Sequence, residues 1–395
     1  MVAEHSSARS EGEQIEAVYL LRADDVEAAK TRARAIGVEQ TVEFPPELIA
    51  TGTIPGQMIG EVETIEQVDE GHFAATIGYP PATAGSELTQ LINVLFGNIS
   101  IEPGVRLLDF RLPDGLARQF RGPRFGIDGL RALIGVYDRP LLCTAIKPMG
   151  LSPGDLADLS YQLALGGIDL IKDDHGLSDQ AICPFEERVA RCTAAVQRAN
   201  LVTGQRCLYL PNVTGPFPDI GRRARFARDH GAGGLLFCPG LAGLDSMRAL
   251  ADDDRLALPI LSHPAFQGSY AASTDAGLSH RVLFGLLNRL AGADGTIFPS
   301  YGGRFAYSQA QCREVVAGAT EPMASLRPIF PVPAGGMRLA RIDELVRFYG
   351  RDCMLLIGGD LHAQGADLVR SCCRFKHLTT DAAAAMAAAH HWANP

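Results

Sequence analysis

Apolar residues follow two regimes along this chain. Over residues 1–125, short strand-like and helix-like segments succeed one another without strict alternation. IEAVYLLRA (15–23) reads as a strand and leads into DDVEAAKTRARAIGV (24–38), whose acidic opening and spaced apolar positions predict an amphipathic helix. QMIGEVETIEQVDE (57–70), HFAATIGYP (72–80) and VRLLDFRLP (105–113) predict further strands, and SELTQLINVLFG (86–97) a second helix. This mixture implies a small α+β domain with a largely antiparallel sheet.

From about Pro140 the pattern changes. Apolar runs recur at 140–148, 167–174, 207–215, 233–240, 259–265, 295–300, 328–336 and 353–360, each followed by a polar or glycine-rich stretch and a helical segment. The runs are continuous rather than alternating, so the strands are expected to be buried on both faces, as in a parallel sheet covered by helices. Eight such units predict a C-terminal (β/α)8 TIM barrel over residues 126–395, after the N-terminal α+β domain over 1–125. An open doubly wound sheet is the alternative, weakened because no G-x-G-x-x-G follows the first run. In SPGDLADLSYQLALGG (152–167), Ser152 is the expected N-cap and Pro153 the first helical residue. The Ala-rich tail after Asp381 predicts a terminal helix.

Composition narrows the class. The chain has 395 residues, 47% of them hydrophobic and 21% charged, a globular balance. Net charge is −9, which argues against nucleic acid as a partner. No apolar run reaches the ~18 residues of a membrane span, and the polar start lacks an export signal. The nine cysteines include no C-x-x-C pair and read as reduced thiols. A cytoplasmic protein that meets neither membrane nor nucleic acid is expected.

In a barrel, chemistry collects where strands end. Those ends carry Lys147, then Lys172, Asp173, Asp174 and His175, then Asn212, then Ser262 and His263. They continue with Arg304 in SYGGRF (300–305), Gly335-Gly336, Gly358-Gly359 and Asp360, with His362 just beyond. Strand alternation puts Lys172 and Asp174 on one face and Asp173 on the other. The cluster reads either as a metal or proton-transfer site or as an internal salt bridge. Lys172 becomes a metal ligand only if its amine is modified, for example to a carbamate by CO2, giving an oxygen donor suited to Mg2+. The glycine pairs suit either anion binding by bare backbone or turns that need positive φ. His263 reads as acid/base or packing, and Arg304 as a mobile arm or a solvated charge.

These residues resemble the ribulose-bisphosphate carboxylase large-chain family, and within it the form IV, RuBisCO-like proteins. GGIDLIKDDHG (166–176) resembles the family's G-G-x-D-x-x-K-D-D-E segment and IKP (146–148) its first-strand lysine. Gly302-Gly303 resembles the mobile sixth loop, and PAGGM (333–337) and IGGD (357–360) the phosphate loops. The resemblance implies that Lys172, carbamylated, and Asp174 bind Mg2+, with His175 at the third ligand position. It implies that Lys147, Lys172 and His263 handle substrate protons. Gly335, Gly336, Gly358 and Gly359 would bind a phosphate with Arg304 nearby. Glu39 and Asn98 would complete a partner subunit's site, making a homodimer with shared active sites.

The departures point away from CO2 fixation. His175 replaces the family's glutamate, Met149 stands near a missing second lysine, and Arg304 stands for the sixth-loop lysine. Pro264, Ile297 and Ala334 fall where the second phosphate site would be. A charge there would be desolvated without compensation, so a sugar monophosphate with a nonpolar far end is expected. The surviving chemistry is proton abstraction next to a ketone, giving an enediolate. The K-D-D-H variant with EQTVEFP (39–45) resembles the isomerase side of the form IV proteins. This implies 1,3-proton transfer on 5-methylthioribulose-1-phosphate in methionine and sulfur salvage. The alternatives are enolisation of 2,3-diketo-5-methylthiopentyl-1-phosphate, decarboxylation of 3-oxo-isoapionate-4-phosphate, and a catalytically silent binding or regulatory role.

Overall fold

The computed structural model describes residues 13–50 and 52–393. Apart from residues 13 and 14, the polar start on which the absence of an export signal was read lies outside them. The chain divides into two units. The first runs to Arg121 and includes Gln267–Leu283 and Pro322–Leu326; the second holds the remainder.

The first unit carries β1 (Ile15–Arg22), β2 (Glu61–Asp69), β3 (His72–Tyr79), β4 (Val105–Arg111) and, from far along the chain, β10 (Gly277–Leu278). They form one sheet in the order β10-β4-β1-β3-β2. β1 lies antiparallel to β3 and β4, and β10 runs parallel to β4, so the sheet is mixed. The parallel edge was invisible in the N-terminal sequence because its strand is supplied by residues 277–278. The helix Val26–Glu39 begins where expected, with Asp25 accepting the Ala28 N–H at 2.8 Å. Alternate β1 residues Ile15, Ala17, Tyr19 and Leu21 are buried, as a sheet covered on one face requires.

The second unit carries β5 (Leu141–Ile146), β6 (Leu170–Asp173), β7 (Leu208–Leu210), β8 (Leu235–Phe237), β9 (Ile260–Ser262), β11 (Gly295–Pro299), β12 (Phe330–Ala334) and β13 (Met354–Leu356). Each lies inside one of the eight apolar runs. All pairings are parallel, in two sheets ordered β13-β5-β6-β7 and β8-β9-β11-β12. A parallel bridge between Asn212 and Leu236 joins them. Helices follow the strands, so both faces of each strand are buried and continuous hydrophobicity results.

The core gathers one set of alternate residues from all eight strands. Cys143, Leu170, Leu210, Leu236, Leu261, Ile297, Val332 and Met354 form one cluster, closed by Ile127, Leu130 and Ile134 of the helix Gly126–Ile134. At about 1.5–3 kcal/mol per large buried aliphatic side chain, this cluster is a principal source of the unit's stability. Two buried carboxylates tie strand starts to the chain around them. Asp169 takes both arms of Arg139, at 2.7 and 3.0 Å. Asp294 accepts the backbone N–H groups of Phe125, Gly126 and Ile260 at 2.7–3.0 Å. The helix Pro153–Leu165 has the expected Ser152 cap, completed by Asp155 into a capping box. All nine cysteines are free, eight of them buried. No helix among the described residues is long and apolar enough to cross a membrane.

Candidate active site at the strand ends

Register builds the site. β5 and β6 pair Ala145 with Lys172, so the next residues on the same face, Lys147 and Asp174, become neighbours. The Lys147 Nζ lies 2.5 Å from Asp174 Oδ2. On the opposite face, Asp173 is fully buried and receives Arg188 Nε at 3.1 Å, the Tyr209 hydroxyl at 2.6 Å and the Asn212 N–H at 2.9 Å. The outward carboxylate is thus a brace and the inward one is available for chemistry.

Asp174 stands between a cation and an imidazole, with His175 Nδ1 3.3 Å from its Oδ1. Burial opposes its charge. The Lys147 hydrogen bond, the Gly176 N–H and the nearby lysine charges outweigh that and hold the carboxyl at about 2. Lys172 is buried, which lowers its affinity for a proton, and its Nζ donates to the Asp173 carbonyl at 3.0 Å. The ring of His263 stacks on His175 at 4.4 Å between centroids and 12° between planes. Burial, followed by the charge of Lys172, pushes His263 down to about 2, so it is neutral. Its Nδ1 accepts the Ala265 N–H at 3.2 Å, which leaves Nε2 carrying the proton. His175, lowered mainly by burial, turns Nδ1 toward the carboxylate, and a proton placed on Nδ1 would leave the Nε2 lone pair free.

Next to this cluster lies a cleft of about 410 Å³, lined by Lys147, Arg304 and both glycine pairs. The two pairs differ. Gly335 and Gly336 have φ of +85° and +99°, and a Cβ on Gly336 would lie 2.6 Å from Arg304 Cγ, so the turn itself requires them. Gly358 and Gly359 have no positive φ, and nothing lies within 4 Å of a Cβ on Gly359. Open backbone there suits a ligand rather than a turn. The sixth loop is held by the Arg304 N–H donating to the Gly335 carbonyl at 2.6 Å, with the guanidinium over the Phe305 ring.

The structure therefore gathers Lys147, Lys172, Asp174, His175 and His263, and sets Arg304 and the glycines beside Lys147. Asn212 and Asp173 serve the framework; Asn212 donates to the carbonyls of His175 and Leu177. Glu39 and Asn98 lie in the first unit, where Asn98 Nδ2 donates to Glu39 Oε1 at 3.0 Å. Sequence reasoning overlooked Arg338, which also lines the cleft two residues beyond Gly336. Extending the strand-end search by two positions would have found it.

Fit to a divalent cation is conditional. Among the described residues, no three His, Cys, Asp or Glu side chains converge as a metal site. Asp174 and His175 supply two donors, and only a carbamate on Lys172 would add the oxygens that a hard cation prefers.

Known proteins place this architecture. Residues 126–368 match the family model for the ribulose bisphosphate carboxylase large chain, catalytic domain. The chain is 42% identical over 363 residues to a ribulose bisphosphate carboxylase-like protein 1 of Rhodopseudomonas palustris, covering 92% of this chain and 96% of the relative. It is 41% identical to a 5-methylthioribulose-1-phosphate isomerase of Rhodospirillum rubrum, covering 88% and 91%. A 2,3-diketo-5-methylthiopentyl-1-phosphate enolase of Geobacillus thermodenitrificans is 39% identical, covering 77% and 76%. The solved Rubisco-like protein from Rhodopseudomonas palustris superposes with a TM-score of 0.84, at 42% identity, over 93% of this chain and 98% of that one. An octameric Rubisco from Pyrococcus horikoshii, crystallised with sulfate, gives 0.88 at 26% identity over 95% and 89%.

Proposed function

Because the chain belongs to the ribulose-bisphosphate carboxylase large-chain family as a RuBisCO-like protein, we propose that it is an isomerase of a methylthio-sugar monophosphate, working through an enediolate. The observation that carries this reading is Asp174 set between Lys147 and His175, beside a cleft with exposed glycine backbone. The substrate is 5-methylthioribulose-1-phosphate, and the reaction belongs to methionine and sulfur salvage. Support comes from the relative of that name, matched over most of both chains. The second reading, enolisation of the diketone phosphate, is favoured by the relatives named for that activity. In this proposal the eight parallel strands close as a (β/α)8 barrel, with the chemistry at the carboxyl ends of its strands.

The chain's own groups divide the work. Lys147, an ammonium beside Asp174, is the proton donor. The free Nε2 of His175 takes the proton next to the ketone, and Asp174 keeps both partners oriented. The Nε2–H of His263 donates to a substrate oxygen as charge develops there. Reprotonation at a different carbon by Lys147 gives the isomer, and solvent carries the proton from His175 back to Lys147, so that atoms, electrons and charge balance over the cycle. Phosphate binds at Gly335, Gly336, Gly358 and Gly359 with Arg304. Lys172 as a carbamate, Asp174 and His175 would hold Mg2+, which when bound polarises the ketone as a Lewis acid. In that state His175 would serve as a ligand and not as the base. Glu39 and Asn98 complete a neighbour's site in a homodimer.

The test is NMR in heavy water with 5-methylthioribulose-1-phosphate, Mg2+ and bicarbonate. Deuterium entry with new ketose resonances is expected. Turnover of the diketone phosphate alone would replace isomerase by enolase. No exchange into any keto-sugar monophosphate would leave a silent binding protein. Separately, Lys172→Ala should abolish Mn2+ binding followed by electron paramagnetic resonance. Unchanged binding would remove the metal from this site.

A further inference from the structure

We propose that Arg338 is a specificity-determining residue that pairs with Arg304 to select a dianionic phosphate ester over other anions. The inference rests on reading the cleft as the phosphate site. Three observations carry it. Arg304 and Arg338 follow consecutive strands, β11 and β12, and both line the cleft that the glycine pairs border. Neither guanidinium has a carboxylate partner among the described residues, whereas Lys147 is neutralised by Asp174. The one carboxylate lining the cleft, Asp360, is directed elsewhere. Its Oδ2 accepts the Leu339 N–H at 2.8 Å and the Gln364 side chain at 3.3 Å. The Leu339 bond straps the residue after Arg338 to the helix Gly359–Ala363 beyond β13, which anchors the backbone next to Arg338.

The chemistry follows from counting groups. A phosphate monoester offers three terminal oxygens and carries close to two charges at neutral pH. Two planar guanidiniums can each bind it through paired N–H donors, while exposed glycine backbone leaves room for the remaining oxygen. A carboxylate has two oxygens and one charge and would leave one arginine unmatched. Arg338 therefore reads the second charge of the ligand.

Orthophosphate is the probe, followed by calorimetry and 31P NMR with the full-length protein. The wild type should prefer orthophosphate and sulfate to acetate. Arg338→Ala should weaken orthophosphate about 10–100-fold, the range for a charge-assisted contact, and erase that preference. Arg338→Lys should recover part of the loss, and melting temperature should not move. In turnover the loss should appear in KM, with kcat within about threefold. Wild-type-like orthophosphate binding by Arg338→Ala, with binding lost in Arg304→Ala, would overturn the role of Arg338 and leave the phosphate cleft standing. A wild type that binds neither orthophosphate nor sulfate would overturn both.

Discussion

Two adjacent carboxylates, Asp173 and Asp174, should respond to substitution in opposite ways. Asp173 is fully buried and so is the Arg188 side chain it pairs with. Replacing Asp173 by alanine leaves that guanidinium without its counter-charge, although Arg188 still donates to the carbonyls of Cys183 and Ser178. The Tyr209 hydroxyl and the Asn212 N–H also lose their acceptor. Breaking one side of a buried ion pair costs about 3–5 kcal/mol, and the stranded donors keep the figure at the upper end. At about 2–4 °C per kcal/mol for a unit of this size, the melting temperature should fall by roughly 8–20 °C. Asp174 differs because its partner Lys147 is 40% exposed, so solvent screens the pair. Asp174→Asn retains an acceptor for the Gly176 N–H and should cost about 0–1 kcal/mol. Turnover should nevertheless drop by about 100-fold or more, since the group between the two proton carriers is gone. Calorimetry and the deuterium-exchange assay measure the two effects separately. Equal melting shifts in the two variants, or a wild-type melting temperature for Asp173→Ala, would refute the assignment of faces.

Gly359→Ala should fold normally and lose phosphate affinity, whereas Gly336→Ala should lower the melting temperature, because only Gly336 combines positive φ with a clash against Arg304. Orthophosphate titration and thermal unfolding distinguish the two. Burial raises Asp294 to about 6, above its unfolded value near 4, despite three backbone donors. Its contribution is therefore fully favourable below about pH 4 and is lost as pH rises through about 6, a swing of about 3 kcal/mol. Urea titrations from pH 4 to 7 should show that slope in the wild type and not in Asp294→Asn; parallel curves would contradict it. Mixing inactive Glu39→Ala with inactive Lys172→Ala should restore activity by creating one intact shared site. Continued inactivity of verified hybrids would argue that each chain completes its own site.

The eight strands of the second unit were legible because burial on both faces produces apolar runs that few other structures need. Lys172 and Asp174 were legible as a shared face from strand alternation alone. The pairing of Lys147 with Asp174 was not, since it depends on the register between β5 and β6. The two glycine pairs looked alike in sequence, and only backbone angles separate a turn requirement from an open surface. β10 escaped notice because a two-residue strand has no periodicity of its own. Arg338 escaped because it stands two positions beyond the glycine pair at which the strand-end search stopped, and only the folded cleft shows it beside Arg304.

The contact between Lys147 and Asp174 also shapes how a ligand is received. The ammonium has three donors, and Asp174 takes one of them, so a ligand oxygen can reach Lys147 without first parting the pair. The carboxylate meanwhile keeps the ammonium facing the cleft that Lys147 lines. The contact thus works as a tether that presents a cation to whatever oxygen arrives.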